Sequence, residues 1–150
     1  MPATFTAEQR ELLDLPQTFA RLATLMPDGS PQNTTIWYRR EGDTLIMATP
    51  VKAQKMRNVR RDPRVAIVVG HPENPYHYVQ IRGHAEVVGD NAQAIEEYHH
   101  IARRYIGDKA PAWVKEYSTA PDFDEALIVV HPERVSVFIE TEPGTSSADR

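Results

Sequence analysis

The chain changes its hydrophobic period several times, and each change marks an element. Thr6-Ala7-Glu8-Gln9 has the spacing of a capping box, and Leu12 and Leu13 supply the apolar stripe of a short helix that Pro16 ends. From residue 18 the pattern takes on strand character. Residues 18–26, 32–40 and 44–49 form three such segments, divided by Pro27-Asp28-Gly29-Ser30 and by Glu41-Gly42-Asp43. Short connections of this kind predict an antiparallel meander.

After Pro50 the pattern becomes helical. Residues 52–61 are rich in Lys, Arg, Gln, Ala and Met, with Ala53, Met56 and Val59 as a narrow apolar stripe, and Asp62-Pro63 stops the helix. Residues 64–70 are a continuous apolar run, which predicts a strand buried on both faces. A loop with Pro72 and Pro75 leads into a long strand over residues 76–88, and Gly83 inside it predicts a bulge or a sharp bend. Residues 91–106 carry Ile95, Tyr98, Ile101, Ala102 and Tyr105 at helical spacing, closed by Gly107. Residues 109–124 read as a loop with at most one helical turn near Trp113. Two strands, 126–131 and 134–140, follow on either side of Pro132-Glu133.

Strands this close in sequence leave no room for crossover helices, so the pattern predicts an antiparallel α+β barrel rather than a parallel βαβ fold. At 150 residues the chain holds one domain, expected over residues 1–142, with a small, polar, disordered tail over 143–150. There is no apolar stretch long enough to span a membrane, no signal-peptide pattern, and no cysteine for disulfides or thiolate ligands, so a cytoplasmic protein is expected.

Charge sharpens the picture locally. The formal net charge is −4, yet Lys52, Lys55, Arg57, Arg60, Arg61 and Arg64 stand within thirteen residues against Asp62 alone. A compact basic segment in an acidic chain is either a solvated helix face or a site for a small anion, and it suits a small anion better than a long polyanion such as nucleic acid. Within it, Thr49-Pro50-Val51-Lys52-Ala53-Gln54-Lys55-Met56-Arg57-Asn58 runs from a strand end through a turn into a helix start. Backbone N–H groups and the positive dipole end already favour an anion there. Lysine is the wrong charge for an unliganded helix N-terminus, so its presence points to a phosphate.

Other chemistry is weaker. Glu96, His99 and His100 have helical metal-ligand spacing but no evident further ligands, and no metal site is expected. No serine stands in a nucleophile-elbow setting and no Gly-x-Gly-x-x-Gly occurs. Trp113 and Tyr117 suit either the roof of a pocket or a local packing cluster.

Several strings together resemble a known family. Lys55-Met56-Arg57-Asn58-Val59-Arg60-Arg61-Asp62-Pro63-Arg64-Val65, preceded by a Thr-Pro turn, is similar to the signature of the flavin and deazaflavin split barrels related to pyridoxamine 5′-phosphate oxidase. Gly29-Ser30-Pro31-Gln32-Asn33, Trp37-Tyr38 and Tyr76-His77-Tyr78-Val79-Gln80-Ile81-Arg82-Gly83 match at the same relative places. The resemblance covers about residues 10–140. It implies a six-stranded antiparallel split β-barrel with flanking helices, forming a homodimer with cofactors in clefts between subunits. Lys55, Met56 and Asn58 fall at positions near the cofactor phosphate and ribityl chain. Thr49, Pro50, Val51 and Lys52 fall beside its ring and tail; Gln32, Asn33 and Thr35 fall along the ring. Tyr76, His77 and Tyr78 fall where the pocket is closed from the other subunit.

The last strand, Val135-Ser136-Val137-Phe138-Ile139-Glu140, lacks the arginine and histidine with which the oxidase proper holds pyridoxal phosphate, so vitamin B6 oxidation is not expected. The deazaflavin branch uses coenzyme F420, whose glutamate tail would suit Arg57, Arg60 and Arg61, although those side chains equally suit solvent. The expected function is an F420-dependent oxidoreductase passing hydride to an electron-poor organic acceptor, with no catalytic side chain required. An FMN-dependent reductase, or a non-catalytic carrier of flavin, deazaflavin or haem, is the alternative.

Overall fold

The computed structural model describes residues 2–139. Helix α1 (Ala7–Leu13) opens with the capping box: Thr6 Oγ1 accepts from the Gln9 N–H at 3.2 Å and Gln9 Oε1 accepts from the Thr6 N–H at 2.9 Å. Seven strands follow: β1 (Ala20–Leu25), β2 (Pro31–Ile36), β3 (Arg39–Glu41), β4 (Thr44–Pro50), β5 (Arg64–Gly70), β6 (His77–Val88) and β7 (Glu125–Ile139). Helix α2 (Gln54–Arg61) links β4 to β5, and α3 (Asn91–Ile106) with α4 (Ala110–Ser118) links β6 to β7. All strand pairs are antiparallel in one curled sheet of order β2-β1-β5-β6-β7-β4-β3. The fold is the expected α+β split barrel. Its interior is filled by Leu22, Met47, Ile67, Ile81 and Ile128, with Leu12 and Leu13 of α1 and Met56 of α2 added to the same core. A second cluster joins Tyr98, Ala102 and Val114 of α3 and α4 to Ala48 and Leu127 of the sheet. Among the described residues no helix is long and apolar enough to cross a membrane.

Four expectations need correction. The segment 32–40 is two strands, not one member of a meander: β2 pairs with β1 and β3 with β4, at opposite edges of the sheet. The chain turns away at Trp37 and Tyr38. The Tyr38 ring is buried, its N–H donates to the Tyr105 hydroxyl at 3.1 Å, and Trp37 stacks on Tyr105 at 4.8 Å. Strand β5 is not buried on both faces; its exposure alternates, with Val68 at 37% on a face that no helix covers. The span 109–124 contains the nine-residue helix α4, begun at Ala110-Pro111 and anchored by buried Ala110 and Val114.

The two final strands are one. Pro132 is accommodated because the register jumps there: Arg82 faces Arg134 while Gly83 faces Pro132, so Glu133 bulges out of the ladder. The split at Trp37-Tyr38 and this merger offset each other, so the strands number seven, as in the sequence pattern, where the family resemblance implied six. Residues 143–150, expected to be disordered, lie outside the described residues.

Arg104 binds these parts together. From α3 its guanidinium donates to the carbonyls of Leu13 and Leu15 at 3.0 Å each and to the carbonyl of Tyr38, and it lies 4.6 Å over the Tyr38 ring. Arg104→Met would keep much of the stem but remove a charged donor from three carbonyls, each left with one hydroxyl donor from Tyr38, Thr18 or Tyr105, so a loss of about 2–4 kcal/mol is expected in urea unfolding. A loss below about 1 kcal/mol would show that water replaces the guanidinium freely.

Candidate functional site

Strand β4 ends at Thr49-Pro50, and the turn that follows is tied down by two backbone bonds. The Val51 N–H donates to the Asp124 carbonyl at 2.9 Å and the Ala53 N–H to the Pro50 carbonyl at 3.0 Å. Ala53 then caps α2 in an extended conformation, and having no side-chain oxygen it makes no side-chain cap. The N–H groups of Met56 and Arg57 return to the Ala53 carbonyl, each at 3.1 Å. Those of Gln54 and Lys55 belong to the first turn, where a helix supplies no acceptor of its own.

Lys55 is half-buried and has no ion-pair or hydrogen-bond partner among the described residues; burial pushes its ammonium below the usual lysine range. Lys52 is exposed on the lip of a cleft formed with Pro50, Tyr117, Phe123 and Glu125.

The opening beside this helix start follows from the sheet topology. Strand β2 pairs with β1 along one edge only, and β4 is paired with β3 only over residues 44–46. Strand β2 ends the sheet on one side and β3, beyond β4, ends it on the other; the region between the free edge of β2 and the β3-side edge of Met47–Pro50 is termed the wedge. Helix α2 spans its wide end, since it leaves from Pro50 and Asn58 reaches Gln32.

Asn58 is wholly buried and fixes that span. Its Nδ2 donates to Thr24 Oγ1 at 3.0 Å and Gln32 Oε1 at 3.5 Å, while its Oδ1 accepts from Gln54 Nε2 at 2.8 Å. On the inner side of β2, Thr34 Oγ1 is buried without a partner.

The sequence-derived residues therefore divide. Gln32, Thr49, Pro50, Val51, Lys52, Lys55 and Asn58 gather around the wedge. Met56 does not offer its side chain there: it is wholly buried in the barrel core, which leaves only its backbone near the site. Asn33 and Thr35 alternate to the opposite, exposed face of β2, where Thr35 Oγ1 accepts from Arg21 at 2.6 Å.

Tyr76, His77 and Tyr78 lie at the far end of the barrel. Tyr78 faces Gly70, six residues along β5 from Arg64, hence about 20 Å from the strand end that follows α2. There the His77 ring stacks on His71 at 5.3 Å, its Nε2 is buried without a partner, and desolvation pushes its pKa below the usual histidine range. In one chain, these three residues do not meet Lys55.

Of the outer cations, Arg57 donates to Gln54 and Arg61 to Asn58 Oδ1 at 3.2 Å and to the Leu25 carbonyl, so Arg61 braces the helix against β1. Among the described residues, no three His, Asp or Glu side chains converge as a metal site would require.

A model of the pyridoxamine 5′-phosphate oxidase family matches residues 5–138. The chain belongs to this family. Among solved structures, one named F420 reductase is 31% identical, covers 88% of this chain and 98% of its own, and superposes with a TM-score of 0.71. A conserved hypothetical protein of Mycobacterium tuberculosis, 22% identical over 99% of this chain and 96% of its own, superposes at 0.72. General stress protein 26 of Bacillus anthracis, 17% identical over 87% and 91%, superposes at 0.63. The last two likenesses bear on the fold alone. No curated protein matches the chain.

Sequence reasoning missed two buried polar groups close to the residues it singled out. Glu125, 3% exposed, accepts from the hydroxyls of Tyr98 and Tyr117 at the back of the Lys52 cleft. Thr34, between Gln32 and Thr35, presents the orphan hydroxyl. A glutamate at the head of an apolar strand reads as a turn residue, and only the packing of α3 and α4 over it reveals its burial.

Proposed function

We propose that the chain is an oxidoreductase that holds a phosphate-bearing deazaflavin of the F420 type in the wedge and passes hydride to an electron-poor organic acceptor. The observation that carries this reading is Lys55, a half-buried cation without a counter-charge beside a helix start without a side-chain cap. Such an arrangement stabilises a phosphate and is costly without one. The free edges of β2 and β4 offer backbone donors and acceptors to a planar ring, and Thr34 Oγ1 is an orphan on the same wall. The 31% identity to a protein named F420 reductase favours the deazaflavin.

The residues fit their tasks. Lys55 and the amides of Gln54 and Lys55 would hold the phosphate; Asn58 would keep α2 against Gln32 and so fix the width of the wedge. Thr49 to Val51 would orient the ring through their backbone, because Val51 is itself held by Asp124. Reduced cofactor supplies the hydride. Lys52, on the adjoining lip, faces the acceptor.

A second reading is FMN on the same residues, because Lys55 serves either phosphate and the family model is that of pyridoxamine 5′-phosphate oxidase. Tyr76, His77 and Tyr78 reach such a site only from a second copy, so we also propose a homodimer, with sedimentation as its check.

The deciding experiment is titration of the purified protein with F420 and with FMN, followed by quenching of cofactor fluorescence. Tight binding of F420 alone is expected. Preference for FMN would keep the site and change the cofactor, and binding of neither would overturn the proposal.

A further inference from the structure

We propose that Arg82 and Arg134 form a second anion site, on the outward face of the sheet, and that its ligand is a phosphate dianion, free or as a monoester. The site is separate from Lys55 and does not rest on the oxidoreductase reading.

Two rows of outward positions cross five strands there. One runs from Thr35 of β2 through Arg21 and Gln80 to Ser136 of β7, and the next from Asn33 through Ala66 and Arg82 to Arg134. Neither row contains a carboxylate, although the chain as a whole carries a formal −4. Arg21 is engaged by Thr35 Oγ1 at 2.6 Å.

Arg82 and Arg134 are exposed and directly opposite each other, and neither guanidinium has a hydrogen bond or ion pair among the described residues. Directly opposed residues hold their Cβ atoms about 4.5–5.5 Å apart, and like charges so placed repel. Nearby carboxylates are committed elsewhere: Glu133 to His84 at 3.2 Å, and Asp62 to Arg64 at 2.7 Å. The pair therefore keeps its repulsion until a counter-charge arrives from outside.

There is room for one. A hollow of about 350 Å³ is lined by Gln80, Arg82, Arg134, Val135 and Ser136. A guanidinium presents a flat fork of N–H donors to two oxygens of one anion, so a tetrahedral phosphate has oxygens for both arginines at once. Its charge matches theirs, because a phosphate monoester is a dianion above a second pKa of about 6. Gln80 and Ser136 add neutral donors one row further, about 7 Å along the strands, where the organic part of an ester would lie.

Calorimetric titration tests the site. The Lys55→Ala variant removes the other anion site, and in that background inorganic phosphate and ribose 5-phosphate are each titrated at pH 8 and fixed ionic strength. One binding event per chain is expected. Adding Arg82→Gln or Arg134→Gln should weaken it about tenfold or more, whereas Arg103→Gln, which removes the same charge from α3, should change it less than threefold. Tighter binding of ribose 5-phosphate would assign the site to esters, and equal or weaker binding to phosphate itself.

Both side chains are exposed, so a melting temperature near that of the Lys55→Ala parent reports an intact fold, and Arg134→Gln keeps the test should Arg82→Gln not fold. No phosphate binding in the Lys55→Ala background, or binding indifferent to both arginine substitutions, would overturn the site. An Arg82→Gln change that shifts the sedimentation coefficient and leaves phosphate affinity unaltered would overturn it too, by assigning the pair to contact between copies. Failure of wild-type protein to bind F420 or FMN would remove the oxidoreductase reading alone, because the arginine titration is read without cofactor.

Discussion

Gly83→Ala is expected to lower the melting temperature by about 10 °C, or to prevent soluble folding altogether. An added Cβ would stand 2.2 Å from the His131 carbonyl oxygen and 3.0 Å from Pro132 Cα. Those atoms are backbone of the neighbouring strand, so no side chain can swing aside. Strands β6 and β7 would have to part where Glu133 bulges and the register shifts. Overpacking costs about 1–3 kcal/mol when side chains adjust, and the upper end or beyond applies when backbone must move. For a domain of this size each kcal/mol is worth about 2–4 °C. Calorimetry decides: a variant melting within 2 °C of wild type would show that the close approach at Gly83 is dispensable.

The second large effect is on binding. Lys55→Ala should weaken cofactor affinity about 10- to 150-fold, the worth of one charge-assisted phosphate contact of about 1.5–3 kcal/mol. The same substitution should leave the cofactor-free protein as stable as wild type or more so, because it removes a half-buried cation that has no counter-charge. The sign with pH follows from the depressed folded-state value. Between that value and 10.5 the unfolded chain holds the extra proton, so the cost of Lys55 is full at lower pH and fades as pH rises through this window. The stability gap between variant and wild type should therefore narrow on the alkaline side. A large loss of stability in cofactor-free Lys55→Ala, with unchanged affinity, would make Lys55 a structural residue and sink the phosphate assignment.

Much of this was legible because local chemistry was strong. The capping box at Thr6, the helix start after Pro50, the helix over 91–106 and the bend at Gly83 each rest on residues with one dominant local preference. What failed depended on distant partners. Nothing around Trp37-Tyr38 announces a strand break; the break exists because Tyr105 and Arg104, more than sixty residues away, hold both residues at the junction. Pro132 signals an ending in any local reading, and its survival within a strand depends on a glycine in the neighbouring one. The basic segment marked one side of the site, but not that Asn58 spends its amide on Thr24 and Gln32; Met56 turns inward as its place on the apolar stripe required, against the position that the family resemblance gave it. Glu125 was invisible because burial of a carboxylate at a strand head is decided by two helices packed elsewhere.

The sheet order has a consequence for the order of synthesis. Strand β7 follows the others in the chain yet sits between β6 and β4, so a growing chain that lacks it has two separate sheet fragments with open edges facing each other. The barrel interior closes only when residues 125–139 have left the ribosome. Until then the apolar faces of β4 and β6 have no strand between them, and a nascent chain stalled before Glu125 is a natural client for a chaperone.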